Sequence, residues 1–189
     1  MNIRKSIAKS LAIAVTTMTL VACGGGGDEG GTTSDSSTAP DFSNLQSCIA
    51  NRWEMGAEQI KKASDTFIAS TGEDASVTIT GNRIFEFSAS GTYKETPAYT
   101  AVATHSGFSA TSQYAGTDSG TWSVDGDKLR LTLTSRGTTI TYTIAGVTTT
   151  QATTNVPGEA KVISCTPATL TYELPLGTGE VVRIVLVRA

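Results

Sequence analysis

Side chains that catalyse hydrolysis or group transfer are sparse in this sequence. The only histidine is His105, in a segment rich in Ser and Thr, and no Gly-x-Ser-x-Gly motif places a nucleophile near a base. Asp125 and Asp127 flank Gly126, and a turn explains these carboxylates better than a glycosidase pair does. A calcium loop needs more acids at alternate positions than this turn supplies. We therefore expect no enzymatic activity, no metal site and no cofactor.

The N-terminus combines a short basic start with a largely apolar run over residues 11–22. This run is too short for a membrane-spanning helix, which needs about 20 apolar residues, and it is typical of a secretory signal. It ends in Leu20-Val-Ala-Cys23, which resembles the lipobox of bacterial lipoproteins. The resemblance implies that residues 1–22 are a signal peptide and that Cys23 carries acyl chains. A plain signal peptide with an incidental cysteine is the alternative.

Membrane anchoring and location follow from the same resemblance. Two or more acyl chains, at ~0.8 kcal/mol per buried methylene, hold a protein stably on a bilayer. Gly24 stands where an Asp would favour the inner membrane by the sorting rule of enterobacterial lipoproteins. We therefore expect an outer-membrane lipoprotein, with the side of the membrane that it faces left open.

Composition divides the remaining chain into a tether and one domain. After Cys23, residues 24–40 are Gly, Ser and Thr with scattered acids, which is typical of a flexible linker. Residues 41–189 have the length of one ordinary domain. The formal net charge is −3, and loss of the basic signal makes the mature chain more acidic. The charge gives no basis for binding nucleic acid, and we expect a monomer that contacts the membrane through its lipid.

The two remaining cysteines, Cys48 and Cys165, form an even set. In the oxidising bacterial envelope, such a pair most simply forms one disulfide. Two separate buried thiols are the alternative. A metal site is less favoured, because no second ligand lies near either cysteine at the required spacing.

Helical spacing is confined to the start of the domain, from Asp41 to about Ser70. Leu45, Ile49 and Trp53 recur every four residues. Gly56 interrupts the pattern and Gly72 is a plausible C-terminal stop. The pattern predicts one or two helices, with a first strand around Trp53 as the alternative.

Beyond Gly72, apolar residues alternate with polar ones, which is typical of strands. Asp125-Gly126 predicts a tight hairpin between Gly120–Val124 and Asp127–Thr134. We expect Thr138–Ile144 to be the third adjacent strand, and Gly81-Asn82 to be a turn. The stretch 97–119 is patterned loosely, as a weak hairpin or a long loop.

The end of the chain supplies further strands. Lys161–Cys165 and Thr169–Leu174 flank Pro167, and Val181–Arg188 is nearly continuous in apolar residues. Such a strand belongs at the centre of a sheet rather than at an open edge. Many short strands separated by frequent turns indicate a sandwich or a barrel.

Two stretches, Phe85–Tyr93 and Ser119–Leu133, resemble the lipocalin-like domains of bacterial envelope lipoproteins. Those domains carry F-x-F-x-x-x-G-T-Y followed by G-T-W-x-V-x-G-x-x-L-x-L. The resemblance implies a mainly β fold: an antiparallel up-and-down β-barrel or closed sandwich, here with an N-terminal helical segment. Lipocalins also place a Trp of the first strand under an Arg of the last, and Trp53 with Arg183 or Arg188 would take these parts.

The same resemblance implies a cavity for small apolar ligands. The aromatic residues expected to line it are Phe85, Phe87, Tyr93, Trp122, Tyr142 and Tyr172. The same side chains would equally fill a dry core, because small barrels are commonly packed by their own side chains. The sequence therefore leaves two functions: a lipoprotein that binds a small apolar ligand, or a structural or protein-interaction lipoprotein with a filled barrel.

Overall fold

The computed structural model describes residues 44–153, 158–176 and 179–189. Cys23, the signal peptide and the tether lie outside these residues. The helices are α1 (Leu45–Ile49) and α2 (Ala57–Thr71). The strands are β1 (Arg52–Gly56), β2 (Ser76–Phe87), β3 (Thr92–His105), β4 (Phe108–Ala115), β5 (Asp118–Asp125), β6 (Lys128–Ser135), β7 (Thr139–Ile144), β8 (Val147–Ala152), β9 (Glu159–Cys165), β10 (Thr169–Pro175) and β11 (Val181–Arg188).

Eight of these strands close into an antiparallel barrel, which confirms the predicted fold class. The ring runs β1–β2–β3–β5–β6–β9–β10–β11 and returns to β1. One continuous apolar core fills much of it and includes residues of both helices. β11 pairs with β10 along its whole length and with β1 at its end, so the predicted central place of the last strand is confirmed.

The barrel closes where the first strand meets the last. Trp53 lies on β1 and is fully buried, so the helical interpretation of this residue was wrong and the alternative strand is confirmed. Its indole N–H donates to the carbonyl of Ile49 at 2.9 Å. Arg188 of β11 lies over the ring, 5.8 Å from its centroid, and donates to the carbonyl of Pro167 and the side chain of Asn51. The Trp and Arg therefore meet as in the lipocalin arrangement.

Helix α2 fills the barrel wall beyond the end of β1. It begins after Gly56 and ends at Gly72, whose φ of 72° is left-handed, as predicted for a C-terminal stop. Its apolar face contacts β2 and β11. The side-chain carbonyl of Gln59 accepts a hydrogen bond from the N–H of Val185 at 3.1 Å. This gives a partner to a backbone group of β11 that β1 does not pair with. Neither described helix is long and apolar enough to cross a bilayer.

A disulfide joins Cys48 in α1 to Cys165 at the end of β9, as predicted. The two Cα atoms are 6.2 Å apart, within the usual range. The bond holds α1 against the barrel end where Trp53 lies. This end is therefore fixed both by the disulfide and by the buried apolar residues of α1, Leu45 and Ile49.

Three strands outside the barrel form a branch of the same sheet, called the wing here: β4, β7 and β8. The branch arises in β3, where residues 92–95 pair with β5 and residues 99–105 pair with β4. β7 then pairs with β4 and β8. The prediction that β7 lies beside β6 was wrong, because β6 pairs with β9 on that side.

The length of β2 overturns one local prediction, whereas the pairing of β3 with β4 confirms the hairpin alternative for residues 97–119. Gly81-Asn82 is not a turn: β2 runs through it, and Gly81 adopts a φ of 96° within the strand. A Cβ there would lie 2.2 Å from the carbonyl oxygen of Ala98 on β3, so glycine permits close strand pairing. The loosely patterned stretch 97–119 is the rest of β3, all of β4 and the start of β5.

Candidate functional site

A charged pair lies inside the barrel among residues that are otherwise apolar or aromatic. On β2, Arg83 has the same alternation phase as the buried Val77, Ile79, Phe85 and Phe87, so it faces inward. On β3, Glu95 shares the phase of the buried residues Tyr93, Pro97 and Tyr99. Antiparallel register places Arg83 opposite Pro97, diagonal to both Glu95 and Tyr99. Regular strand geometry thus brings the three polar side chains together.

Arg83 and Glu95 form an ion pair, with Nη1 3.1 Å from Oε1. Their side chains are only 15% and 16% exposed. The other basic side chains in ion pairs of the described residues keep 48% or more of their surface exposed. The remaining exposure shows that water reaches this inward-facing pair.

All five tyrosines of the chain are buried, and they extend from this pair into the wing: Tyr93, Tyr99, Tyr114, Tyr142 and Tyr172. Arg83 donates from Nη2 to the hydroxyl of Tyr99 at 3.1 Å and lies 5.5 Å from the centroid of its ring. The rings of Tyr99 and Tyr114 stack at 4.3 Å across β3 and β4. The interior therefore carries hydroxyl groups where phenylalanine would suffice for packing.

The electrostatics of the pair follow from its burial. Burial raises the pKa of Glu95, the positive charge of Arg83 opposes this rise, and Asp118 adds to it. Burial alone would lower the pKa of Arg83, but interactions with Tyr99 and Glu95 raise it overall. Burial also raises the pKa of Tyr99 and Tyr172, so their hydroxyls are protonated at neutral pH. Arg83 is therefore a permanent cation in this site.

Two buried polar atoms near Glu95 have no hydrogen-bond partner among the residues that the structure describes. They are the Nε of Arg83 and the hydroxyl of Tyr93. Both groups feel the carboxylate electrostatically, because Glu95 raises the pKa of each. A buried donor without a partner costs about 1–3 kcal/mol. The interior thus has hydrogen-bonding capacity that the described side chains leave unused.

Asp118, in contrast, is fully used by the backbone. It is buried at the start of β5, opposite Glu95. Its Oδ1 accepts the N–H groups of Gly137 and Thr138 at 2.9 and 2.8 Å. These contacts fix the segment that leads from β6 into the wing, so Asp118 has a structural role.

The aromatic residues predicted to line a cavity fall into separate groups. Phe85, Phe87 and Trp122 form one cluster, with Phe87 6.2 Å from Phe85 and 5.4 Å from Trp122 between ring centroids. The indole of Trp122 donates to the carbonyl of Ser88 at 2.9 Å. Tyr172 of β10 interacts electrostatically with Arg83, whereas Tyr142 lies on β7 in the wing. The structure therefore associates Tyr172, but not Tyr142, directly with the charged pair.

The other candidate groups have ordinary surroundings. His105 is partly buried at the end of β3, with Nδ1 2.5 Å from the carbonyl of Asp74. Asp125 and Asp127 pair with Arg130 and Lys161 on the surface. Among the described residues, no group of three or more His, Cys, Asp or Glu side chains is arranged to hold a metal ion. Cys23 lies outside the described residues, so its modification stays a prediction.

Sequence reasoning missed Arg83, Glu95, Tyr99 and Tyr114. A signal was present for Arg83, because the alternation that places Phe85 and Phe87 inward also places Arg83 inward. Glu95 stands two residues after Tyr93 in the same way. A charged residue in the apolar phase of a strand was therefore the readable sign of this site.

Neither a comparison with protein-family models nor one with curated proteins finds a match to this chain. Function is accordingly inferred from the interior of the barrel and from the N-terminal sequence.

Proposed function

We propose that this protein is an outer-membrane lipoprotein whose barrel binds a small, largely apolar ligand without catalysis. The observation that carries the proposal is the interior site: a buried ion pair with an unpartnered Arg83 Nε and an unpartnered Tyr93 hydroxyl. A dry structural core gains nothing from such groups, since each costs free energy unless something binds it. The apolar side chains around the pair supply surface for the body of a ligand.

Lipid anchoring is supported by the lipobox-like residues that end at Cys23 and by the tether-like composition after them. The disulfide between Cys48 and Cys165 agrees with an oxidising compartment outside the cytoplasm. Intact mass of the membrane-extracted protein tests the anchor: we expect a chain that begins at Cys23 with the added mass of acyl chains. A free thiol at Cys23, or a Cys23→Ser variant that stays in the membrane fraction, would contradict it.

Ligand binding is tested by native mass spectrometry of protein purified from the envelope, followed by displacement of an apolar fluorescent dye. We expect a co-purifying small molecule and saturable dye binding. The chain offers a matched control, because Arg52–Glu86 is an ion pair of the same residue types between β1 and β2 on the outer surface. Replacing Arg83 and Glu95 by Met should change the affinity of the barrel for the dye. Replacing Arg52 and Glu86 by Met should leave that affinity unchanged. Protein without a ligand and without saturable dye binding would refute the proposal.

A second function, protein interaction, is supported by the wing. β8 forms the edge of the sheet, and all six of its residues are exposed and uncharged. Phe108 and Val147, at the tips of neighbouring hairpins, are 53% and 69% exposed. Uncharged edge strands pair readily with other strands. If the wing is the working surface, Phe108→Lys and Val147→Lys should abolish partner capture in envelope cross-linking and leave dye binding unchanged.

A further inference from the structure

The charge balance of the barrel interior restricts the kind of ligand that it accepts. Arg83 and Glu95 together are neutral, with Nη1 and Oε1 3.1 Å apart. Asp118 lies opposite Glu95 and acts on its pKa as a second negative charge. An anionic group of a ligand placed beside this pair would therefore add a third negative charge, after Glu95 and Asp118, around the single cation Arg83. In a poorly hydrated interior, such like-charge contacts are costly.

The unused hydrogen-bonding capacity is nevertheless polar. Arg83 forms an ion pair with Glu95 through Nη1 and donates to Tyr99 through Nη2, which leaves Nε for an acceptor. The hydroxyl of Tyr93 can both donate and accept, and burial keeps it protonated because it raises the pKa of this group. An oxygen in a hydroxyl, ester or amide group meets these needs without adding a charge.

The surroundings of the pair define the rest of the ligand. Phe85 and Phe87 follow Arg83 along the inward face of β2. Leu131 and Leu133 have the inward phase of β6, and both are only partly buried. Leu131 and Leu133 therefore keep accessible apolar surface, and none of these four side chains adds a charge. A ligand that contacts both regions has an apolar body and a small polar head.

We propose that the ligand is an amphipathic molecule with an uncharged hydrogen-bonding head, such as a monoacylglycerol or a long-chain alcohol, rather than a fatty acid. The head occupies the Arg83–Glu95–Tyr93 region, and its oxygen accepts from Arg83 Nε. The inference rests on the proposed function, since it names the class of ligand for the same interior site.

The test compares two ligands with the same tail, 1-oleoylglycerol and oleate, as competitors of an uncharged fluorescent lipid dye at pH 8. For the unmodified protein, we expect 1-oleoylglycerol to bind at least about tenfold more tightly, because oleate adds an unbalanced charge. Glu95→Gln removes one of the two carboxylates near Arg83, so the preference should shift towards oleate. Glu86→Gln removes a carboxylate from the outer face of β2, the strand that carries Arg83, and should leave the preference unchanged.

The outcomes are distinguishable. Tighter binding of oleate by the unmodified protein would overturn the inference and leave ligand binding itself intact. Saturable dye binding that neither competitor displaces would overturn this inference alone, whereas absence of saturable dye binding would overturn the proposed function as well. If Glu95→Gln does not fold, the double variant Arg83→Met, Glu95→Met serves instead. It removes one positive and one negative charge together and so leaves the net charge of the interior unchanged. That double variant should still bind the dye but lose discrimination by the head, and an unchanged tenfold preference would place head recognition elsewhere.

Discussion

Removal of the disulfide between Cys48 and Cys165 gives a prediction with a calculable size. The bond closes a loop with a sequence separation of 117 residues. In the chain-entropy model, a loop of this length stabilises the fold by about 5 kcal/mol, and measured values are typically about 2–4 kcal/mol. We therefore expect replacement of both cysteines by Ala to lower the free energy of unfolding by about 3–5 kcal/mol.

Equilibrium unfolding in urea measures this loss. With an m value of about 2 kcal/mol/M, the midpoint should fall by roughly 2 M. The control is the unmodified protein under reducing conditions, which keeps both cysteine side chains but lacks the bond. If loop closure is the cause, the reduced protein and the double Ala variant should have nearly the same midpoint.

A loss below about 1 kcal/mol in both samples would refute the reasoning, because the bond would then add little constraint to the unfolded chain. A large loss in the double Ala variant alone would instead assign the effect to packing of the partly buried sulfur atoms. The two results differ in which sample changes.

Three further predictions concern the interior and the strand β2. Tyr93→Phe removes a buried hydroxyl that has no partner among the described residues. We therefore expect the free energy of unfolding of the ligand-free protein, measured in urea, to rise by up to about 1 kcal/mol, while ligand binding weakens. A clear destabilisation would show that the hydroxyl has a partner. Burial raises the pKa of Glu95 above 4.5, so the folded protein binds this proton more tightly than the unfolded chain. Its contribution to the free energy of unfolding should therefore grow as the pH falls through the raised pKa and be lost as the pH rises; urea unfolding between about pH 5 and 8 should show this slope in the unmodified protein and not in Glu95→Gln. Gly81→Ala should lower the free energy of unfolding by at least about 2 kcal/mol in thermal or urea unfolding, because its Cβ would meet the Ala98 carbonyl. Gly146→Ala, at a φ of 80° in open space, should lower it clearly less. Equal losses would argue against the close strand contact.

The parts of the fold that sequence reasoning predicted correctly depend on local signals. Asp125-Gly126 is a tight-turn sequence, and the hairpin of β5 and β6 forms around it. Gly72 ends α2 because a left-handed residue is needed there. The nearly continuous apolar run that marks β11 as central also reflects local composition.

The failures concern choices between distant partners. Trp53 fits a helical repeat, but its position under Arg188 is set by a strand at the other end of the chain. β7 follows β6 in sequence yet pairs with β4, because β9 occupies the neighbouring place in the barrel. Gly81 resembles a turn residue until the close approach of β3 is known.

The site was harder to predict than the fold. Aromatic residues such as Phe87 and Trp122 were predicted to line a cavity because of their size, although their rings pack against each other. Arg83 and Glu95 are separated by a turn and meet only through the register of β2 and β3. Their alternation phase was visible in the sequence, but the register that makes them partners required the structure.

The disulfide has a mechanical consequence for a domain held by its N-terminal end. Tension applied before Cys48 divides between the backbone that leads to β1 and the sulfur atoms that lead to the end of β9. β9 is held on both sides, by β6 and by β10, so the load is shared across the wall of the barrel. The seam between β1 and β11, which has few paired residues, thereby bears only part of the load. A domain pulled by a membrane anchor would transmit that force and keep its interior closed.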